Sequence, residues 1–292
     1  MPSLDDYRRF YAEEVQLAAG LTSSALIDAL GRVPREKFLG PGPWTVARPD
    51  LLTGTVQSVP TADADPRRVY HNILIFMDAS RNLTNGQPGT LAHYINALDL
   101  VPGERVYHLG AGGGYYTAIM AEVVGPGGKV TASEVHPELG PRAKQNLEAW
   151  PQVTVHTEDG TQFDPGECDA MLINAGVTHP LPLWLDRLRP GGRLLLPITV
   201  PMTPTLGRGV MLKITRQPAG YAVQLVTYVG IYSCTSARDS QLEPQLAKAL
   251  TSGALMKIKS VRRDPHEPDE TCVAHASEVC LSVAELSATP AT

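Results

Sequence analysis

The run from Val106 to Ala118, Val-Tyr-His-Leu-Gly-Ala-Gly-Gly-Gly-Tyr-Tyr-Thr-Ala, constrains this chain more than any other stretch. A β-type segment runs straight into a glycine-rich turn, and the turn opens an apolar helix. That order marks the carboxyl edge of a strand in an open α/β sheet, where such sheets bind ligands. A dinucleotide fingerprint needs G-x-G-x-x-G or A. Counting from Gly110, the sixth position is Tyr115, too large for the close helix–strand approach that the third glycine permits. The spacing present is Gly110, Gly112, Gly114, which brings backbone close to a ligand without a pyrophosphate and argues against NAD.

The surrounding sequence predicts the same class. Segments 105–109, 129–135, 153–157, 169–174 and 193–199 read as strands. Segments 115–124, 137–150 and 181–188 read as helices, with a turn at 125–128. Strands alternating with helices of about ten residues mean βαβ units and a parallel sheet with helices on both faces. Residues 3–38 read as two helices: Leu4, Tyr7, Tyr11, Val15 and Ala18 make one apolar stripe closed by Gly20. Thr22–Ser24 caps a second, which ends at Pro34. Residues 40–66 carry prolines and glycines without periodicity and read as an extended, loop-rich connection. A strand over 70–77 and a polar loop over 82–88 follow, then a helix with Leu91, Ile95 and Leu98 inward. Near 210–215 and 221–229 the alternation stops, and Gln217–Gly220 signals a hairpin. Beyond residue 236 the pattern gives one helix (243–250), a short strand near 256–261 and a tail, with 288–292 disordered. The linear division is an N-terminal segment (1–80), a ligand-binding domain (81–202) and a C-terminal extension (203–292).

Twenty-five Lys and Arg against 30 Asp and Glu give a net charge of −5 over 292 residues. That balance argues against a protein that holds nucleic acid by counterion release, and Lys257 to Arg263 reads as a solvated loop or strand edge. No apolar run reaches the ~18 residues of a membrane span, and the start lacks a secretory signal. Four cysteines do not make a disulfide framework, so reduced thiols and a cytoplasmic location are expected. Cys272-x2-His275-x4-Cys280, with or without Cys234, has metal-ligating residue types. Its spacing is not a standard pair-plus-pair pattern, and no metal is expected.

The glycine loop resembles motif I of the class I S-adenosylmethionine-dependent methyltransferases. Leu188–Pro197 resembles the L-x-P-G-G-x-L segment of that superfamily. Three further segments narrow the likeness. Arg32–Phe38 is similar to the R-V-P-R-x-x-F of protein-L-isoaspartate O-methyltransferases. Thr84-Asn-Gly-Gln-Pro88 stands in the slot of their T-I-S-Q-P loop, and Gly110–Ala118 matches G-x-G-S-G-Y-x-T-A. The resemblance covers about residues 25–200. It implies a Rossmann-like class I methyltransferase sheet with an N-terminal helical segment and an antiparallel C-terminal extension, and S-adenosylmethionine as cofactor. The residues it implies around the cofactor are His108, Gly110, Ala111, Gly112, Gly114, Tyr115, Glu134, Val135, Asp159, Gly160 and Asn174. Glu134 is placed for the ribose hydroxyls and Asp159 for the adenine amino group, with Gly160 making room for the ring. Tyr115 and Tyr116 either wall that pocket or pack in the core.

Departures shape the expected chemistry. Gly86 replaces the family serine, His108 replaces an acidic residue, and nothing from about Thr203 onward finds a counterpart. Methyl transfer from a sulfonium is an in-line displacement, so alignment dominates. A carboxylate acceptor is ionised at neutral pH and needs no base, whereas a phenol would; His71, His93 and His179 are the available bases. Thr84, Asn85 and Gln87 can orient an acceptor carboxylate through neutral hydrogen bonds, and Arg81 can offer a bidentate partner. The leading expectation is a carboxylate of a peptide or small-molecule natural product, with Gly86 leaving room for an unusual acid. The alternatives are isoaspartyl repair and a catalytically inactive cofactor-binding partner module. No nucleic acid or membrane partner is expected, and the residues fix no oligomeric state.

Overall fold

The computed structural model describes residues 2–49 and 55–286. In chain order the first elements are α1 (Leu4–Ala19), α2 (Ser24–Arg32), β1 (Thr45–Pro49), β2 (Val56–Pro60), β3 (Leu74–Asp78), β4 (Leu83–Thr84) and α3 (Pro88–Ala97). Next come β5 (Arg105–Leu109), α4 (Tyr115–Val124), β6 (Lys129–Ser133), α5 (Leu139–Asn146), β7 (Val153–His156), β8 (Cys168–Ile173) and α6 (Pro182–Arg187). The last are β9 (Leu188–Pro201), β10 (Leu206–Gln217), β11 (Gly220–Tyr232), α7 (Glu243–Ser252), β12 (Ser260–Arg262), β13 (Cys272–His275) and β14 (Cys280–Ser282). Contacts gather them into two compact units. One runs up to Gly103 and resumes from Ala111 to Thr157; the other takes Glu104–Gly110 and the chain from Glu158 on. The division therefore falls inside the glycine loop, between Gly110 and Ala111, and again after Gly103 and Thr157.

In the first unit, α1 starts with a capping box in which the Ser3 and Asp6 side chains each accept a backbone amide of the other residue. It ends on Gly20 in the left-handed region (φ 61°). Ser23 caps α2 by accepting from the Leu26 amide. The expected stripe is buried through Tyr11 and Val15, but Leu4 and Tyr7 are only partly covered and Ala18 is exposed. Residues 40–66 are not merely loop. β1 and β2 pair antiparallel, Thr45 opposite Pro60, in a sheet ordered β2-β1-β3-β4. Each strand has five residues and closes on a proline, where no ladder donor is needed, so the run is too short to display a period.

The strand expected from residue 70 begins instead at Leu74. Arg35, fully buried, is the reason: its guanidinium donates to the carbonyls of Val69, His71 (2.8 Å) and Ile73 (2.8 Å), which fixes that stretch as a turn. Pro88 sits in the first turn of α3, where a missing N–H costs nothing. Leu91, Ile95 and Leu98 point inward as expected. β6 and β7 pair in parallel, joined through α5, and α5 is shorter than the predicted 137–150 helix.

In the second unit the strand order is β13-β14-β12-β11-β10-β9-β8-β5. β5, β8 and β9 are parallel; β9, β10 and β11 form a long antiparallel meander turning at Gln217–Gly220. The core of this unit gathers Tyr107, Ile173, Trp184, Leu194, Val210 and Leu281. Trp184 is fully buried; truncating such a residue typically costs about 3–5 kcal/mol. The segment expected to be a tail carries β13 and β14. Residues 288–292 lie outside the described residues. Among the described residues, no helix is long and apolar enough to cross a membrane.

Candidate active site

Gly112, Gly114 and Gly110 of the loop do different work. Gly112 (φ 56°) has nothing within 4 Å of where a Cβ would stand, so its backbone faces open space. Gly114 (φ 94°) opens α4, and a Cβ there would come within 2.9 Å of Leu147. Gly110 (φ 81°) belongs to the second unit, where a Cβ would meet the Asn174 carbonyl oxygen at 3.1 Å. Only the first of these has the form of a ligand cradle; the other two permit close packing.

In the first unit the loop is wound tightly. The Ala111 amide donates to the Ser133 carbonyl (3.1 Å) and the Gly114 amide to the Ala111 carbonyl (2.9 Å). Glu134, at the end of β6, is buried, and its carboxylate accepts from the Gly112 amide (2.6 Å) and the His136 amide (2.9 Å). Structure thus brings Glu134 and the open glycine together. Val135, next in sequence, is 60% exposed. Tyr115 is buried: its hydroxyl meets that of Tyr11 (3.2 Å) and its ring packs edge-on against Phe38. Core packing is what its side chain does.

The 81–88 loop is held by backbone partners. The Asn85 amide donates to the Ile75 carbonyl (2.9 Å), and the Asn85 Oδ1 accepts from the Ile75 amide (3.1 Å). The Asn85 Nδ2 is buried with no hydrogen-bond partner among the described residues. Thr84 Oγ1 accepts weakly from the Gly86 amide (3.4 Å), and the Tyr116 hydroxyl donates to the Gly86 carbonyl (3.1 Å). Gln87 is exposed, its Nε2 reaching the Asn72 carbonyl (3.4 Å). Asn72, which sequence reasoning missed, accepts the Gly89 amide in the first turn of α3 (2.8 Å). Arg81 is exposed and donates to His136 Nε2 (2.6 Å), so one of its nitrogens is already engaged.

Gly86 corrects an expectation. It has φ 78°, and a Cβ would lie 2.8 Å from Leu91 Cδ2. The space that a serine would take is filled by Leu91, not left open for a larger acid.

In the second unit, His108 is fully buried on β5, and burial pushes its imidazole down to about 3. It is neutral at any physiological pH. Asn174 donates from its backbone to Leu109 (2.8 Å) and from Nδ2 to the Gly110 carbonyl (3.3 Å), so these β5 and β8 ends are tied together. Asp159 Oδ1 accepts from the Thr161 amide (3.0 Å) and hydroxyl (2.9 Å). Burial works against its charge, yet hydrogen bonds from Ser236 and Thr161 outweigh burial and hold the carboxyl below its ordinary value. Gly160 is buried, with its carbonyl accepting from the Tyr107 hydroxyl (2.8 Å). Among the candidate bases, His71 is exposed, His93 Nδ1 lies 3.3 Å from the Ala19 carbonyl, and His179 Nδ1 meets Thr178 Oγ1 (2.9 Å). Burial lowers the His179 pKa, against the pull of Asp239.

With this geometry in place, comparison with known proteins is decisive. The family model for protein-L-isoaspartate(D-aspartate) O-methyltransferases matches residues 13–230. The chain belongs to this family. Protein-L-isoaspartate O-methyltransferase of Aeropyrum pernix is 31% identical over 194 residues, 65% of each chain, so the match covers just under two thirds of that enzyme's length. The enzyme of that name from Gloeobacter violaceus is 30% identical over 210 residues, 70% of this chain and 87% of its own. A Plasmodium falciparum protein of the same name, solved in complex with S-adenosyl-L-homocysteine, superposes with a TM-score of 0.58 at 17% identity, over 78% of this chain and 98% of its own. That likeness shows the Rossmann-like α/β fold. The family match agrees with the family that the Arg32–Phe38, Thr84–Pro88 and Gly110–Ala118 segments resemble. The match also runs well past Thr203, through β10 and most of β11. The family match ends at Gly230, and residues 1–12 and 231–292 lie beyond it.

Proposed function

We propose that the protein transfers a methyl group from S-adenosylmethionine to a carboxylate oxygen, and that the acceptor is the isoaspartyl side chain of a peptide or protein. The observation that carries this reading is the family match across residues 13–230. It displaces the natural-product acid put first from sequence. That preference rested on room beside Gly86, and Leu91 takes the room.

The residues present fit the cofactor. Gly112 offers an open backbone at positive φ, and Glu134 beside it offers a buried carboxylate suited to paired hydroxyls. In the second unit, Asp159 keeps its charge for an amino group, and Gly110, Gly160 and Asn174 offer backbone and amide groups of their own. Bound there, S-adenosylmethionine supplies a methyl group on a sulfonium, activated for displacement. The chain's own task is alignment. An isoaspartyl carboxylate, near the usual carboxylate pKa of about 4, arrives ionised and needs no proton removed. Thr84, Asn85 and Gln87 orient it with neutral donors; Asn85 Nδ2, buried and without a partner, is the donor in hand. Holding the acceptor in line is worth several kcal/mol of barrier in such displacements.

Two peptides that differ only in whether one aspartyl residue is linked through its α- or β-carboxyl test the assignment. Methyl incorporation into the isoaspartyl form alone supports it. Equal incorporation into both, or into neither while a small acid is methylated, refutes it.

A further inference from the structure

The C-terminal strands carry an arrangement that the methyltransferase reading does not use. His266, Cys272, His275 and Cys280 each turn one ligand atom inward, and those four atoms lie within 4.8 Å of one another. Linear spacing hid this. Cys272 and His275 stand three apart on β13, so strict alternation would aim them at opposite faces. The pairing of β13 with β14 slips between Cys272 and Ala274, and this bulge brings both onto one side. Cys280 on β14 is directly opposite His275. His266 comes from the connection after β12, and its Nε2 lies 3.6 Å from Cys272 Sγ. Cys234 is not part of the group.

We propose that His266, Cys272, His275 and Cys280 form a structural zinc site that staples β13 and β14 to the connection that follows β12. The donor set is two sulfurs and two imidazoles, the composition of closed tetrahedral sites. Bonds of ~2.0–2.3 Å to such a centre put neighbouring ligand atoms ~3.3–3.8 Å apart, so the observed separations need only small side-chain adjustments. The surrounding contacts are those that orient zinc ligands. His266 Nδ1 donates to the Asp264 carbonyl (2.7 Å), which leaves Nε2 with its lone pair toward the sulfur. The Asp269 amide donates to Cys272 Sγ (3.4 Å). His275 Nδ1 is buried with no hydrogen-bond partner among the described residues. A cavity of about 460 Å³, walled in part by His266, His275 and Cys280, gives an ion a way in. Arg262 pairs with Asp264 (2.9 Å) and Asp269 (2.7 Å), bracing the connection on which His266 rides.

Zn²⁺ binding would release the two thiol protons and form four bonds, two Zn–S and two Zn–N, giving a neutral centre with no open position. The role is therefore structural. β12, β13 and β14 have three, four and three residues, and strands this short gain most from a metal cross-link.

The test is metal analysis of the full-length protein purified under reducing conditions without chelator. About one zinc per chain is expected, retained in Cys168→Ser and Cys234→Ser and lost in the Cys272→Ser/Cys280→Ser double variant. Because the double variant can fail to fold, the native chain is also stripped and refilled with Co²⁺. A thiolate-to-cobalt charge-transfer band with the intense d–d absorption of a tetrahedral centre supports the site. A chelator should also expose two thiols to a thiol reagent and lower Tm. Stripped protein that binds no cobalt, a Cys272–Cys280 disulfide in the reduced preparation, or zinc retained in the double variant would each overturn the proposal.

Discussion

The Glu134 carboxylate lies 2.6 Å from the amide of Gly112, the one loop glycine whose backbone faces open space. Removing it deprives the Gly112 and His136 amides of their acceptor and removes the anion proposed for the ribose hydroxyls. Glu134→Ala should weaken S-adenosyl-L-homocysteine binding by about 1–3 kcal/mol, one to two orders of magnitude in Kd. Isothermal calorimetry reads this directly; unchanged affinity would take Glu134 out of the cofactor site.

Asn85 spans the Ile75 backbone with one side-chain atom and leaves the other without a partner. Asn85→Ala and Thr84→Ala should depress kcat for the isoaspartyl peptide more than they change cofactor Kd. The reverse result would move this loop from the acceptor to the cofactor.

Gly86 sits at φ 78° with Leu91 where a side chain would go. Restoring the family serine by Gly86→Ser should therefore destabilise the fold, by about 1–3 kcal/mol from left-handed backbone and overpacking together. Adding Leu91→Ala should relieve the clash without relieving the backbone strain. Denaturant unfolding of the two variants separates these terms.

His108 supplies a pH dependence. Its folded-state value is pushed down to about 3 by burial, against 6.5 for the unfolded chain, so the unfolded state takes up a proton first. Its contribution to stability is complete above about pH 6.5 and is lost as pH falls toward 3. Between pH 7 and pH 5 that loss is about 2 kcal/mol. The stability difference between the native chain and His108→Gln should shift by that amount, in favour of the variant, when denaturant titrations are repeated at the two pH values.

Arg35 is fully buried with its guanidinium on the carbonyls of Val69, His71 and Ile73. Arg35→Met would leave those carbonyls without their donor, at about 1–3 kcal/mol for each one left buried. The same turn carries Asn72, which holds the start of α3. Methyl transfer should therefore fall together with Tm in this variant, a link that Arg35→Lys would only partly preserve.

The residues show why some of this was legible in sequence and some was not. The bounds of β5 and α4 follow from Arg105–Leu109 and Tyr115–Val124 because apolar runs there meet glycines that permit no other continuation. The glycine spacing likewise argued against a dinucleotide, and the resemblance of the same loop pointed to the family. β1 and β2 were hidden because five residues closed by proline show no period. The start of β3 depended on a buried arginine some 40 residues away in sequence. Gly86 read as open space because only the fold reveals that Leu91 fills it. Cys272, His275 and Cys280 were visible as ligand types, but His266 was not joined to them, and a bulge rather than a spacing rule brings Cys272 and His275 to one face.

The central claim is enzymatic transfer to a carboxylate, and one measurement meets it head-on. The protein is incubated with S-adenosylmethionine labelled in its methyl group and an isoaspartyl peptide, and the isolated peptide is then treated briefly with alkali. A carboxyl ester gives up its label as volatile methanol, whereas a methyl ether, amine or carbon-bound methyl keeps it. The account predicts labelled peptide whose label is released as methanol, with none on the aspartyl isomer. Label that survives alkali, or an isoaspartyl peptide left unlabelled by folded, cofactor-binding protein, would contradict it.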